Sequence, residues 1–259
     1  MTELPSIVAP SVPAAWGKAM ALLMQPGVHE LAPLLVTITD MGSIGYEPNP
    51  PLRQEVDHLL QNLGKHSTNT VANTIFPQSL WNPKRDRTSL YERYLQHVMP
   101  AIRSDNPHGT YFERMIQFGG QESPVNQLEQ VIATWVEHRN HRHSALQVSI
   151  FDPHHDHKHN RRLGFPCLHQ VCFTPLGENG VEGLAVTGFY ATQHLLTKAY
   201  GNYLGMIRLG HFVAQAIGLK LARMTCFSAK VVLGDGITKE ILRSLHQSLV
   251  TGGETFVAP

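Results

Sequence analysis

Cysteine is scarce in this chain: three residues in 259, at Cys167, Cys172 and Cys226, with no C-x-x-C pair among them. An odd and sparse set excludes a disulfide framework and fits a reducing compartment, so a cytoplasmic location is expected. Charge is thin as well. Charged residues make up 16% of the chain and the formal net charge is +1, which gives no long-range field toward nucleic acid or an anionic membrane. Direct nucleic-acid binding is therefore not expected. Long apolar runs are missing, since no window reaches about 18 uninterrupted apolar residues, and Met1-Thr2-Glu3-Leu4-Pro5 lacks a basic stretch leading into an apolar one. Neither a membrane span nor a signal peptide is expected, and no internal repeat or low-complexity block appears. What is present is an ordinary globular mixture, 42% hydrophobic, long enough for one large core or two small ones.

Residues 1–28 are rich in Pro and Ala and read as a loosely packed lead-in with one short helix around Ala14 to Leu23. A single domain over residues 29–259 follows. Leu34 to Thr39 is a β-rich run bounded by Asp40 and Gly42, and Leu52 to Leu63 has helical spacing that stops at Gly64. Asn69 to Phe76 reads as strand-like. Thr88 to Ile102 places Leu90, Tyr94, Val98 and Ile102 on one helix face, and Asn126 to Glu137 repeats that pattern. Ala145 to Phe151 alternates as a strand. The run after Cys167 pairs across a Gly-rich turn with Leu184 to Tyr190, and a buried helix spans Tyr203 to Leu221. Met224 to Leu233 is a last β-rich run and Thr238 to Leu249 a last helix. Strands and helices interleave without a regular βαβ period, which predicts an α+β domain, a large mixed β-sheet packed by helices.

The chemistry gathers between Gly109 and Gly218. A cysteine follows a proline in Gly164-Phe165-Pro166-Cys167-Leu168-His169-Gln170. Downstream, Tyr200-Gly201-Asn202-Tyr203-Leu204-Gly205 opens a helical stretch that contains His211-Phe212-Val213-Ala214-Gln215 and ends at Gly218-Leu219. A thiolate is a strong nucleophile once positive charge lowers its pKa, and Arg161, Arg162 and His169 are close in sequence. An amide side chain at Asn202 can donate to one pyrimidine edge atom and accept from its neighbour, which separates uracil from cytosine. Taken alone, Cys167 also reads as an inert core thiol and Asn202 as a helix N-cap beside Gly201.

In order and spacing these segments resemble the catalytic half of the thymidylate synthase and pyrimidine hydroxymethylase superfamily. The resemblance implies the thymidylate synthase-like fold, with Cys167 as the nucleophile that adds to C6 of a pyrimidine so that C5 attacks a one-carbon unit. It implies 5,10-methylenetetrahydrofolate as the donor, no metal, a pyrimidine nucleotide or nucleoside as substrate, and a homodimer with shared active sites, joined through the sheet face. It assigns Asn202, Thr192, His194, Arg142, Gln170 and Tyr111 to substrate binding. Tyr111 belongs to Gly109-Thr110-Tyr111, which matches the family's Gly-x-x-Tyr-Gly segment. Arg142, near Arg139 and His143, matches an arginine that reaches the partner subunit's phosphate.

The departures are specific. Where the family reads Tyr-Gln-Arg-Ser-x-Asp, this chain has Phe189-Tyr190-Ala191-Thr192-Gln193-His194. Ala191 removes the phosphate-binding arginine, a loss that the Thr192 hydroxyl does not restore. Val232 and Gly234 stand where a His-x-Tyr pair would bind the sugar, and Glu113 is the nearest acidic residue for the family's proton-relay glutamate.

Seven of the 16 histidines lie between His138 and His159. That density reads as a solvated loop, as a metal site, or as a positive patch that holds a differently placed phosphate. The leading expectation is a one-carbon transferase acting at C5 of a pyrimidine through Cys167. The alternative is a catalytically degenerate member of the same fold that binds a nucleotide or a protein partner. A metal hydrolase built on the histidine loop is the distant third.

Overall fold

The computed structural model describes residues 4–42, 50–119, 123–138, 142–157, 165–243 and 245. Its strands are β1 (Ser6–Ala9), β2 (Leu34–Ile38), β3 (Gln147–Ser149), β4 (Leu168–Leu176), β5 (Gly183–Tyr190), β6 (Gln193–His194), β7 (Leu221–Ser228) and β8 (Val231–Val232). Six of them form one mixed sheet in the order β1-β2-β7-β5-β4-β3, and β6 and β8 make a separate parallel pair. The helices are α1 (Val12–Met24), α2 (Pro51–Asn62), α3 (Thr68–Ile75), α4 (Thr88–Arg93), α5 (Met99–Ile102), α6 (Tyr111–Ile116), α7 (Gln127–Glu137), α8 (Pro153–Asp156) and α9 (Tyr200–Ala216). The architecture is α+β, as the interleaved pattern predicts.

Alternation along the strands divides the sheet into two faces. Ile7, Leu34, Val36, Ile38, Val148, Val171, Phe173, Val186, Met224 and Cys226 are buried on the face that α1 and α9 cover. The opposite face is open to solvent: Val8 is 63% exposed, Leu35 39% and Phe189 38%, and Phe189 stacks on Phe227 at 5.5 Å.

The amino-terminal segment overturns the loosely packed lead-in. β1 pairs in parallel with β2, and Trp16 on α1 is fully buried, its indole N–H donating to the Leu195 carbonyl at 2.8 Å. Its prolines do not loosen it. Ser11 caps α1 by accepting from the Ala14 amide, and Pro13 falls in the first turn, where no backbone donor is needed.

Residues 69–75 are helical rather than strand-like, and Phe76 follows the helix in an extended conformation. Their β-branched side chains give the sequence a strand appearance, but Ser67 caps the helix and Val71, Ala72 and Ile75 are buried against α9. Two glycines allow that approach. A Cβ at Gly201 would lie 2.6 Å from the Thr68 carbonyl, and one at Gly205 would lie 2.8 Å from the Ala72 carbonyl.

The carboxy-terminal half differs in its boundaries. A π turn over Leu195–Ala199 leads directly into α9, which stops at Ala216 before Gly218 takes φ +76°, and Leu221 already begins β7. The run through Leu233 is two strands, β7 and β8. The last expected helix, Thr238 to Leu249, falls largely outside the described residues. Among the described residues, no helix is long and apolar enough to cross a membrane.

Candidate active site

A cavity of about 380 Å³ opens where the N-terminal end of β4, the β6 segment, the π turn, α9, α3 and the loop before α6 meet. Cys167, Asn202, Thr192, His194 and Tyr111 all line it, together with Gln193, Lys198, Arg114 and His108. Residues separated by up to 131 positions in sequence, Val71 to Asn202, thus share one wall.

Cys167 sits one residue before β4, and its carbonyl accepts from the Ala191 amide at 3.0 Å, which docks the Ala191–His194 segment beside the thiol. Burial pushes the thiol above its ordinary value, while the charge of Lys198 and a hydrogen bond with the Tyr111 hydroxyl pull it down and Asp235 pushes it up. Tyr111 also hydrogen-bonds with the backbone of Leu168 and Cys167, and burial raises its own pKa. Lys198 is carried by the π turn; desolvation by the cavity wall lowers its ammonium from the ordinary value.

Asn202 is not a helix cap. α9 continues out of the π turn with Ala199 at its cap position, so Asn202 lies inside the helix, 2% exposed and facing the cavity. Among the described residues, no hydrogen bond occupies its amide. Gln193 shows how such a side chain becomes oriented. Its Oε1 accepts from the Tyr203 hydroxyl at 3.2 Å and from Ser228 Oγ at 3.2 Å, which leaves its Nε2 without a partner, as is the nearby hydroxyl of Tyr190. Buried donors without acceptors are costly.

Arg114 forms the firmest part of the wall. It donates to both oxygens of the fully buried Asp156, at 2.6 and 3.0 Å, to the Ile150 carbonyl at 3.0 Å and to the His108 carbonyl at 3.0 Å.

Two nominated residues do not join the cavity. Gln170 hydrogen-bonds the Gln147 amide on the open sheet face. A bulge between Leu168 and Gln170 shifts the alternation, so that Leu168 and Val171 share the buried face while Gln170 turns away from it. Arg142 is exposed just before a 3-10 turn at His143–Ala145. Glu113 is likewise absent from the cavity lining and pairs with Arg103 at 2.5 Å. His169 does not supply positive potential: it stacks on Phe151 at 5.0 Å, and burial lowers its pKa. Arg161 and Arg162 lie outside the described residues.

In the histidine-rich segment, His155 pairs with Asp152 at 2.6 Å and His157 packs edge-on against Phe151 at 5.0 Å. Among the described residues, no three His, Cys, Asp or Glu side chains come together as a metal site.

Lys198, Gln193 and Arg114 were not singled out as site residues from the sequence. The only signal for Lys198 was its place four residues before Asn202, which puts both on one side of a continuous helical stretch. Comparison of the chain with protein-family models and with curated proteins finds no match.

Proposed function

We propose that the protein is a divergent thymidylate synthase-like enzyme, built on the corresponding fold, that transfers a methyl or hydroxymethyl group to C5 of a pyrimidine nucleotide or nucleoside through Cys167. The observation that carries this reading is the convergence of Cys167, Asn202, Thr192, His194 and Tyr111 on one cavity of nucleoside size. Asn202 reads the pyrimidine edge from inside a rigid helix. The Cys167 sulfur adds to C6, and the C5=C6 electron pair moves onto C5, which then attacks a carbon electrophile at the formaldehyde level. Loss of the C5 proton and release of the sulfur restore the ring; the donor would leave as its amine, with water completing a hydroxymethyl product, and a methyl product would need a hydride that the reduced donor would itself supply. The resemblance makes 5,10-methylenetetrahydrofolate the donor. No described residue is assigned to a pterin.

The missing arginine at Ala191 favours a substrate whose sugar and phosphate are recognised differently, with Thr192 and His194 closest to that end. The open sheet face, with Val8, Leu35, Phe189 and Phe227, supports a homodimer closed through that face, in which Arg142 serves the neighbouring cavity. Light scattering should give the dimer mass. Three free cysteines support a cytoplasmic setting.

One observation favours the alternative, a non-catalytic member of the fold that binds a nucleotide or a protein partner: burial raises the Cys167 thiol instead of lowering it. Intact-protein mass spectrometry with 5-fluorouracil nucleosides and nucleotides, with and without methylenetetrahydrofolate, separates the two readings. A covalent adduct that disappears in Cys167→Ala supports the enzyme. A folded dimer that forms no adduct with any of these ligands leaves the binding protein.

A further inference from the structure

Cys167 sits in a cavity wall whose burial opposes ionisation, so a nucleophilic sulfur there needs a counter-charge. Lys198 is placed to provide it. The π turn over Leu195–Ala199 projects its side chain into the cavity that Cys167 lines, and Asn202 joins them from the next turn of the same helical stretch. Single π turns of this kind recur at functional sites. Among the described residues, no carboxylate pairs with the Lys198 ammonium, whereas Arg87, Arg103 and Arg114 are each matched to an acid.

We propose that the Lys198 ammonium is the counter-ion of Cys167 and favours ionisation of its sulfur against the burial that opposes it, so that the attacking thiolate forms more readily. The Sγ–H bond breaks and its proton leaves to solvent. The sulfur then carries the negative charge in the cavity that Lys198 also lines, and its lone pair forms the bond to C6. The first step is a property of the free protein; only the second rests on the pyrimidine reading.

The other groups that face this pair define the balance. Tyr111 from α6 hydrogen-bonds with the thiol and assists the thiolate. Tyr190 from β5 stands nearby and remains neutral, because burial holds its pKa well above the ordinary value. Asp235, beyond β8, opposes the thiolate, and Lys65, beyond α2, opposes a second ammonium close to Lys198. Lys198 is the charge in this set whose interaction with Cys167 favours ionisation.

The test follows alkylation of Cys167 by iodoacetamide from neutral to alkaline pH, read peptide by peptide so that Cys172 serves as an internal control. Wild type is compared with Lys198→Met, Lys198→Gln and Lys198→Arg. The midpoint for Cys167 should rise by roughly one pH unit in the Met and Gln variants, about tenfold in rate at neutral pH, and should return in the Arg variant. Circular dichroism checks folding, and the two neutral variants guard against a local defect in either. Cys167 profiles that superpose on wild type in a folded neutral variant overturn the proposal. A shifted profile without any fluoropyrimidine adduct sustains this inference while the enzyme reading fails. An adduct that forms together with an unshifted profile does the reverse.

Discussion

Two polar clusters in this protein use similar side chains to opposite ends. In the first, Arg87 donates to both oxygens of Glu129 at 2.8 Å, Tyr91 donates to the same carboxylate at 2.6 Å, and Asn126 caps the Glu129 amide at 3.1 Å. Burial works against the Glu129 carboxylate, but the bonds from Arg87 and Tyr91 and the charge of Arg87 outweigh it and keep the carboxyl below its ordinary value. The cluster ties α4 to α7 and has nothing left to offer a ligand. In the second, around Cys167, the buried Gln193 Nε2 has no partner, and among the described residues no hydrogen bond occupies the Asn202 amide and no carboxylate pairs with Lys198. Closed networks hold elements together, whereas groups left open beside a cavity give up stability that a ligand can return. Arg114 and Asp156 show that the two kinds can touch, because a closed ion pair forms part of the open cavity's wall.

Substitutions sharpen this contrast. Asp156→Ala should have the largest effect, since it leaves the Arg114 guanidinium half-buried and unmatched; a loss of about 3–5 kcal/mol in urea unfolding is expected. A loss under about 1 kcal/mol would mean that water from the cavity solvates Arg114 and that this wall is open too. Asn202→Leu should act in the opposite way. Thermal stability should hold, while the fluoropyrimidine concentration needed for half-maximal adduct should rise about 10- to 100-fold, the value of one or two hydrogen bonds. A fall in melting temperature as large as that of Asp156→Ala would move Asn202 into the closed class.

Glu129→Gln should give the smallest effect, about 1 kcal/mol, because both side chains of the ion pair are 36% exposed and solvent screens them. Its pH dependence has a definite sign. A carboxyl whose pKa is lowered by folding contributes fully above its unfolded value and loses that contribution as pH falls through the folded one. The stability difference between wild type and Glu129→Gln should therefore be present at neutral pH and vanish in acid. A difference that stays constant across that range would assign the cluster's contribution to packing.

Much of this arrangement was legible from residue order. The family resemblance nominated Cys167, Asn202, Thr192, His194 and Tyr111, which share the cavity, while alternation marked β2, β3 and the β4–β5 hairpin and helical spacing marked α2, the α4–α5 stretch and α7. The strands and helices follow from patterns within one segment, where the repeat of 2 or 3.6 residues sets which side chains face together. Tertiary structure decided the rest. It turned residues 69–75 into a helix because Gly201 and Gly205 leave room for one, buried the amino-terminal segment through a strand pair and Trp16, and reversed Gln170 with a single bulge. It also decided which polar groups found partners. The charge of Lys198 is written in the sequence, but that it shares a cavity with Cys167, with no carboxylate paired to it among the described residues, is fixed only when the elements have packed.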